Sequence, residues 1–379
     1  MVRVAFLLLI LLRSVVAGAQ DRNSEALFRD AMDAQNRGDV ATAVTKYQHL
    51  LHLYPNVIAA RANLAVALVS LGRIDEGIEE YRRALEQVPG NFDLRLNLAI
   101  AYYKKLDYQS AVAELAALHT ADPANARVAL LLADCYAHLD QDDDTVFLLS
   151  PLEKADPGNL GIAWALGSAL IHLGRAEEGL LRIEKVAQQG RSAEAYALAA
   201  DTYAKLSLFD RARTNLDEAA RLNPNLPGLH TLRGTILDSA GDQAGAAGEF
   251  QKALADNPKD FEAELRLGAV LYAQRKLEEA RPHVVRALDI DPASYLARYE
   301  LARIERAQGQ FENAAKDLET VIKENPGWLP PHVELVALYY RMNRTEDGAR
   351  EKEIVDRLRA QELERQTKSP IISPELPSH

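Results

Sequence analysis

RRALEQVPGN, residues 82–91, is the stretch that decides the fold, because the chain writes it again as QKALADNPKD at 251–260 and VRALDIDPAS at 285–294. The last two copies lie 34 residues apart, and the first two 169, which is five periods of 34 less one. Each copy places an alanine in an apolar joint and then a proline, which lacks the N–H that a continuing helix needs. A fixed period with one slip is therefore the pattern to explain.

Prolines at Pro55, Pro89, Pro123 and Pro157, and again at Pro224, Pro258, Pro292 and Pro326, keep steps of 34, with one step of 67 between Pro157 and Pro224. Internal repetition at this period is the mark of a helical array. Ten residues after these prolines the side chain is small: Ala65, Ala99, Ala133, Gly167, Gly234, Gly268 and Ala302, with Ala200 in the repeat that has Arg191 where a proline is due. Smallness recurs twelve residues later at Gly77, Ala111, Gly179, Ala212, Ala246, Ala280, Ala314 and Gly348, Thr145 being the exception. Two small positions facing one another let two helices approach closely. Glycine between them, at Gly38, Gly72, Gly174, Gly241 and Gly309, suits the left-handed residue that ends a helix, and Asp39, Asp107 and Asp242 suit the start of the next. The segments between have helical periodicity, as in RANLAVALVSLG, so each repeat reads helix, turn, helix.

On these residues the chain resembles the tetratricopeptide repeat family, whose pattern of small residue, turn glycine, alanine with an aromatic, alanine and proline is matched by GTILDSAGDQAGAAGEFQKALADNP. The resemblance runs from Ser24 to Leu358 and implies an all-α, right-handed superhelical solenoid of about ten helix-turn-helix repeats. It also implies that a protein or peptide partner lies on the concave face lined by the first helices. We place the array at 24–365, its last repeat running into a polar capping helix, and read 366–379, QTKSPIISPELPSH, as a disordered tail. The one-residue slip, through QQGRS at 188–192, reads as a hinge. Pro282 falls inside a second helix, where it costs little near the start and kinks the helix further in.

The first residues, MVRVAFLLLILLRSVVAGAQ, have a basic Arg3, an apolar run from Val4 to Leu12 and an A-x-A site at Ala17–Ala19, so residues 1–19 read as an export signal cut before Gln20. The expected location is periplasmic or secreted, with no integral membrane segment after cleavage. The chain carries a formal net charge of -11, and loss of Arg3 and Arg13 with the signal makes it -11 - 2 = -13, which argues against nucleic acid as a partner. Its one cysteine, Cys135, excludes an internal disulfide and sits in an apolar helical stretch as a small hydrophobe.

The stripe of each first helix opposite the packed small residues is where a partner is expected. In the first three repeats it holds Phe28 and Met32, then Ala62, Val66 and Val69, then Leu96, Ile100 and Tyr103, with Asn63 and Asn97 beside it. Asparagine at this place in related grooves holds the backbone of an extended peptide, the amide offering donor and acceptor together. The strip reads either as a groove for an apolar segment or as packing against the next helix. Toward the C-terminus the stripe becomes Tyr272, Tyr299, Arg303, Arg306, Tyr340 and Arg341, which suits carboxylates, or is a solvated face whose arginines pair with Glu300 and Glu305. The lysine that the family's carboxylate clamp needs is absent, since the first-helix position it would occupy holds residues such as Phe28, Ala62, Leu96, Leu130 and Trp164.

Asp140, Asp142 and Asp144 alternate like a calcium loop, but Thr145 and Pro151 stand where that loop wants glycine and glutamate. His138 and His172, at matching places in successive repeats, make an incomplete metal site, and His49 with His52 read as surface residues. Asn343 opens a lone glycosylation sequon. No phosphate loop, H-E-x-x-H or G-x-S-x-G is present. The expectation is a non-enzymatic binding scaffold without cofactors. The alternatives are a self-associating structural array or an accessory to a metal-dependent enzyme.

Overall fold

The computed structural model describes residues 22–368. Twenty α-helices follow one another as ten hairpins, and no strand occurs among the described residues. They fall into two compact units, one ending at Arg191 and the other beginning at Ser192. Unit one pairs α1 (Arg22–Asn36) with α2 (Val40–Leu53), α3 (Ile58–Ser70) with α4 (Ile74–Gln87), α5 (Phe92–Lys104) with α6 (Tyr108–Ala121), α7 (Ala126–His138) with α8 (Asp142–Ala155), and α9 (Leu160–His172) with α10 (Ala176–Gly190). Unit two pairs α11 (Ala193–Lys205) with α12 (Phe209–Leu222), α13 (Leu229–Ser239) with α14 (Gln243–Asp256), α15 (Phe261–Ala273) with α16 (Leu277–Ile290), α17 (Tyr295–Ala307) with α18 (Phe311–Glu324), and α19 (Leu329–Arg341) with α20 (Thr345–Lys368).

Every hairpin turns through one residue of positive φ. In five it is the expected glycine, Gly38, Gly72, Gly174, Gly241 and Gly309; in the others it is Leu106, Asp140, Ser207, Arg275 and Asn343. Asp39, Asp107 and Asp242 cap the helices that follow by accepting the amides of Thr42, Ser110 and Gly245. The facing small positions are the contact points inside each hairpin. A Cβ on Gly179 would lie 2.6 Å from Ile171 Cγ1 and 2.7 Å from the Gly167 carbonyl oxygen, so only glycine allows that approach. Thr145, the exception, is buried at its facing position without a hydrogen-bond partner for its hydroxyl.

A pairing not read from the sequence ties the two helices of a repeat together. A charged or imidazole side chain early in the first helix meets a partner 19 residues on: Arg61 with Glu80, Arg95 with Glu114, Arg298 with Asp317, His230 with Glu249 and His332 with Glu351, with Glu264 and His283 reversed. In four of these the same side chain reaches back to the carbonyl of the turn proline, Pro55, Pro89, Pro292 or Pro326.

At the slip, α10 runs to Gly190 and only Arg191, at φ 50, and the N-cap Ser192 separate it from α11. Between the other repeats four residues intervene, as between Gln87 and Phe92, or six between Leu222 and Leu229, so a longer helix and a shorter joint together remove one residue from the period. Pro282 lies within α16, which runs unbroken from Leu277 to Ile290. The helix α20 continues to Lys368, so residues 366–368, expected in a tail, are helical up to the Ser369–Pro370 pair that disfavours helix. The rest of that tail and the export segment, residues 1–19, lie outside the described residues.

Candidate functional site

In unit one, α3, α5 and the α1–α2 hairpin enclose a cavity of about 280 Å³. Val66, Val69 and Ile100 give it an apolar wall, Asn97, Gln35 and Ser70 supply polar atoms, and Lys104 lines it from the end of α5. The reason is local sequence: Val66 and Val69 are one turn apart on α3, and Asn97 and Ile100 one turn apart on α5, so each pair points the same way.

Of the two asparagines, Asn63 is committed to the protein, its side chain hydrogen-bonding the Tyr47 hydroxyl, which also donates to Gln35 Oε1 at 2.9 Å. Burial pushes the Tyr47 phenol up to about 12. Asn97 differs: it is 5% exposed, and its Nδ2 has no acceptor among the described residues. An amide donor left unmatched in a buried place costs about 1–3 kcal/mol, so a ligand carbonyl supplied there is favoured.

The apolar strip divides. Leu96, 7% exposed, belongs to the core of unit one and Ala62 does as well, and for these two, which do not line the cavity, the packing reading is the one the structure supports; Ile100, 5% exposed, belongs to the same core and also meets the cavity. Phe28 and Met32 are half-buried against the core of the first hairpins, Phe28 lying 6.0 Å from the Tyr47 ring. Tyr103 is half-buried, donates to Asp134 Oδ2 at 2.5 Å and packs edge-on against Tyr108. Val66, Val69, Asn97 and Ile100 are the four expected residues that come together at the cavity; Gln35, Val40, Ser70, Tyr81, Ala101 and Lys104 were missed. Gln35, Val40 and Tyr81 come from the α1–α2 hairpin and from α4, outside the first-helix stripe, and stripe counting alone does not reach them.

In unit two the stripe is occupied by its own members. Arg303 donates to both Glu300 oxygens at 2.8 Å and lies over the Tyr272 ring at 4.4 Å and the Tyr299 ring at 5.7 Å. Arg306 meets Glu334 at 3.1 Å, correcting the expected pairing with Glu305. Arg341 covers Phe311 at 4.7 Å, leaving Tyr340 exposed beside it. Tyr299 packs on Trp328, with ring centroids 4.8 Å apart. Burial raises the Glu300 carboxyl above the usual range despite Arg303.

His138 stacks on Tyr108 at 4.2 Å, while His172 Nδ1 lies 3.4 Å from Asp142. Asp142 and Asp144 belong to the first turn of α8, and Asp140 is the positive-φ turn residue before it. Among the described residues no group of three or more His, Cys, Asp and Glu is placed to hold a metal ion. Cys135 is buried, and burial pushes its thiol up to about 12. No helix among the described residues is long and apolar enough to cross a membrane.

Comparison with known families agrees with the hairpin register. Two tetratricopeptide repeat family models match, one over residues 67–105 and the other over 96–144, 197–261, 231–295 and 265–327. RNA polymerase II-associated protein 3 of Rattus norvegicus is 31% identical over 126 residues, 33% of this chain, and the match spans 19% of the rat protein's length. Among solved structures, a tetratricopeptide repeat protein from Parabacteroides merdae superposes with a TM-score of 0.54 at 17% identity, covering 66% of this chain and all of that one. The APC/C hetero-tetramer Cut9–Hcn1 does so with 0.52 at 14% identity, covering 91% of this chain and 78% of that one. At these identities the structures share a fold with this chain.

Proposed function

Because the chain is an array of tetratricopeptide repeats, we propose that it is a non-enzymatic scaffold that holds an extended segment of a partner protein against the first helices of unit one. An apolar side chain of the segment enters the cavity beside Val66, Val69 and Ile100, and a main-chain carbonyl accepts from Asn97 Nδ2. The observation that carries this reading is the coincidence of the two: a cavity of about 280 Å³ walled on one side by Val66, Val69 and Ile100, and, on its lining residue Asn97, a buried and unmatched amide donor. A rigid stack of hairpins holds that arrangement before the partner arrives, so the cost of ordering falls on the partner. We place the protein outside the cytoplasm, in the periplasm or secreted, on the reading of residues 1–19; a mature N-terminus at Gln20, read by mass spectrometry, checks it.

The test compares partners captured by residues 20–379 with those captured by the Ile100→Asp and Asn97→Ala variants. Ile100→Asp puts a charge into the apolar wall and is expected to abolish capture. Asn97→Ala removes one hydrogen bond and is expected to weaken binding about 5- to 30-fold, equivalent to about 1–2 kcal/mol. A partner retained equally by both variants, with circular dichroism unchanged, overturns the assignment.

A further inference from the structure

Phe147 on α8 and Leu181 on α10 are 85% and 70% exposed, the most solvent-facing large apolar side chains described in this chain. They stand 34 residues apart, so they hold the same place in successive repeats, on second helices that both pack on α9. The same place elsewhere carries Thr45, Glu79, Ala113, Thr214, Gly248, Pro282, Lys316 and Arg350, all small or polar apart from Pro282. Packing of the repeat therefore does not ask for a large apolar group there. Pro151, one turn beyond Phe147, is also exposed and extends the apolar surface along α8.

The fringe of this surface is acidic. One turn before Phe147 stand Asp143 and Asp144, and one turn before Leu181 stand Glu177 and Glu178, again in matching places. Asp144 and Glu177 are exposed and make no hydrogen bond or ion pair among the described residues; Asp143 only faces Arg175. The cations nearby are already engaged. Arg175 holds Glu178 through two hydrogen bonds, Arg182 holds Glu153 through two more, and Lys185 donates to the Pro157 carbonyl. Lys154 lies two turns away at the far end of α8.

We propose that Phe147, Pro151 and Leu181, with Asp143, Asp144 and Glu177, receive the apolar face of a basic amphipathic helix from a partner protein. Such a helix carries its apolar stripe between rows of lysine and arginine, which matches an apolar centre fringed by unpaired carboxylates. Charge separates this occupant from the others. A second copy meeting the same patch about a two-fold axis sets acid against acid in a chain of net charge -11, and an anionic lipid surface is repelled in the same way. The surface is separate from the cavity and does not depend on the cavity having a ligand.

The experiment uses the full mature chain and, as probe, a fluorescein-labelled 14-residue leucine–lysine peptide of helical amphipathic pattern, followed by fluorescence anisotropy. Saturable binding is expected. Phe147→Ser with Leu181→Ser, and separately Asp144→Lys with Glu177→Lys, are expected to weaken it at least tenfold, while Leu106→Gly, which removes another exposed apolar side chain, leaves it unchanged. All four positions changed in the paired variants are exposed, and circular dichroism verifies that those variants fold. The proposal fails if the peptide does not bind, if either paired variant binds as the parent does, or if a glutamate-for-lysine peptide binds equally well. It also fails if Leu106→Gly weakens binding as much as the Phe147→Ser, Leu181→Ser variant does, which makes the binding a general effect of exposed apolar side chains. A parent dimer in sedimentation that the Phe147→Ser, Leu181→Ser variant does not form fails it too, because a second copy then covers the patch.

Discussion

At Gly179 a methyl group meets Ile171 and the backbone of Gly167, while at Gly248, in the middle of α14, a built Cβ meets nothing within 4 Å. The same substitution therefore has opposite signs at the two places. Gly179→Ala is expected to destabilise the protein by about 1–3 kcal/mol through overpacking, and Gly248→Ala to stabilise it by about 0.5–1 kcal/mol through helix propensity, both read by urea denaturation. Glu305 offers a second test. It is 4% exposed, its Oε2 has no partner, and Arg281 is 3.8 Å away. Burial, and then the Asp317 carboxylate, raise its pKa above the usual range. A raised carboxyl binds its proton more tightly in the folded state, so the protein loses stability as pH rises from the ordinary glutamate range through the raised value. Glu305→Gln is expected to gain about 1 kcal/mol at pH 7, with the gain fading as pH falls toward 4. A gain that is constant across that range contradicts the burial argument.

The hairpin turn is the element that the sequence shows only in part. Five turns carry glycine at the positive-φ position, but Leu106 stands there at φ 64, and a side chain with a Cβ pays about 1 kcal/mol or more for that conformation. Leu106 is 69% exposed, so little burial is lost with it. Leu106→Gly is expected to raise stability by about 0.5–1 kcal/mol, less than the full strain because glycine also gains freedom in the unfolded chain; a shift in thermal midpoint checks it. The proline that closes most repeats is matched by a side chain reaching back to its carbonyl, as Arg61 does at 2.9 Å to Pro55. Helix end and hairpin pairing are thus coupled in one residue.

For the whole molecule, each hairpin buries its apolar side only by stacking on a neighbour, and the last one needs a cover. Val355 on α20 is buried, as is Glu351, which hydrogen-bonds the buried His332 of α19. Removing residues 345–379 uncovers Leu335, Leu338 and Tyr339, all buried in the core of the last hairpins. That truncation is expected to cost several kcal/mol in unit two and to give concentration-dependent aggregation in gel filtration, while truncation at 368 leaves stability unchanged. Equal behaviour of the two truncations contradicts a capping role for α20.

The period, the facing small residues and the closing prolines were legible from residues 82–91 onward because backbone geometry repeats them: a close helix crossing admits only small side chains, and a proline just past a helix end cannot extend the helix. Fold class and hairpin register follow from these alone. The candidate site was half legible. Val66, Asn97 and Ile100 fall on a first-helix stripe that counting at 100 degrees per residue finds, but the same count also returned Leu96, which the neighbouring helix buries. Angular position says which way a side chain points, and only the packed neighbours decide whether space remains in front of it. The same reason hid the pairing 19 residues apart and the bareness of Phe147 and Leu181. Each depends on how far apart the helices stand, a distance that tertiary packing sets and no single-helix pattern contains.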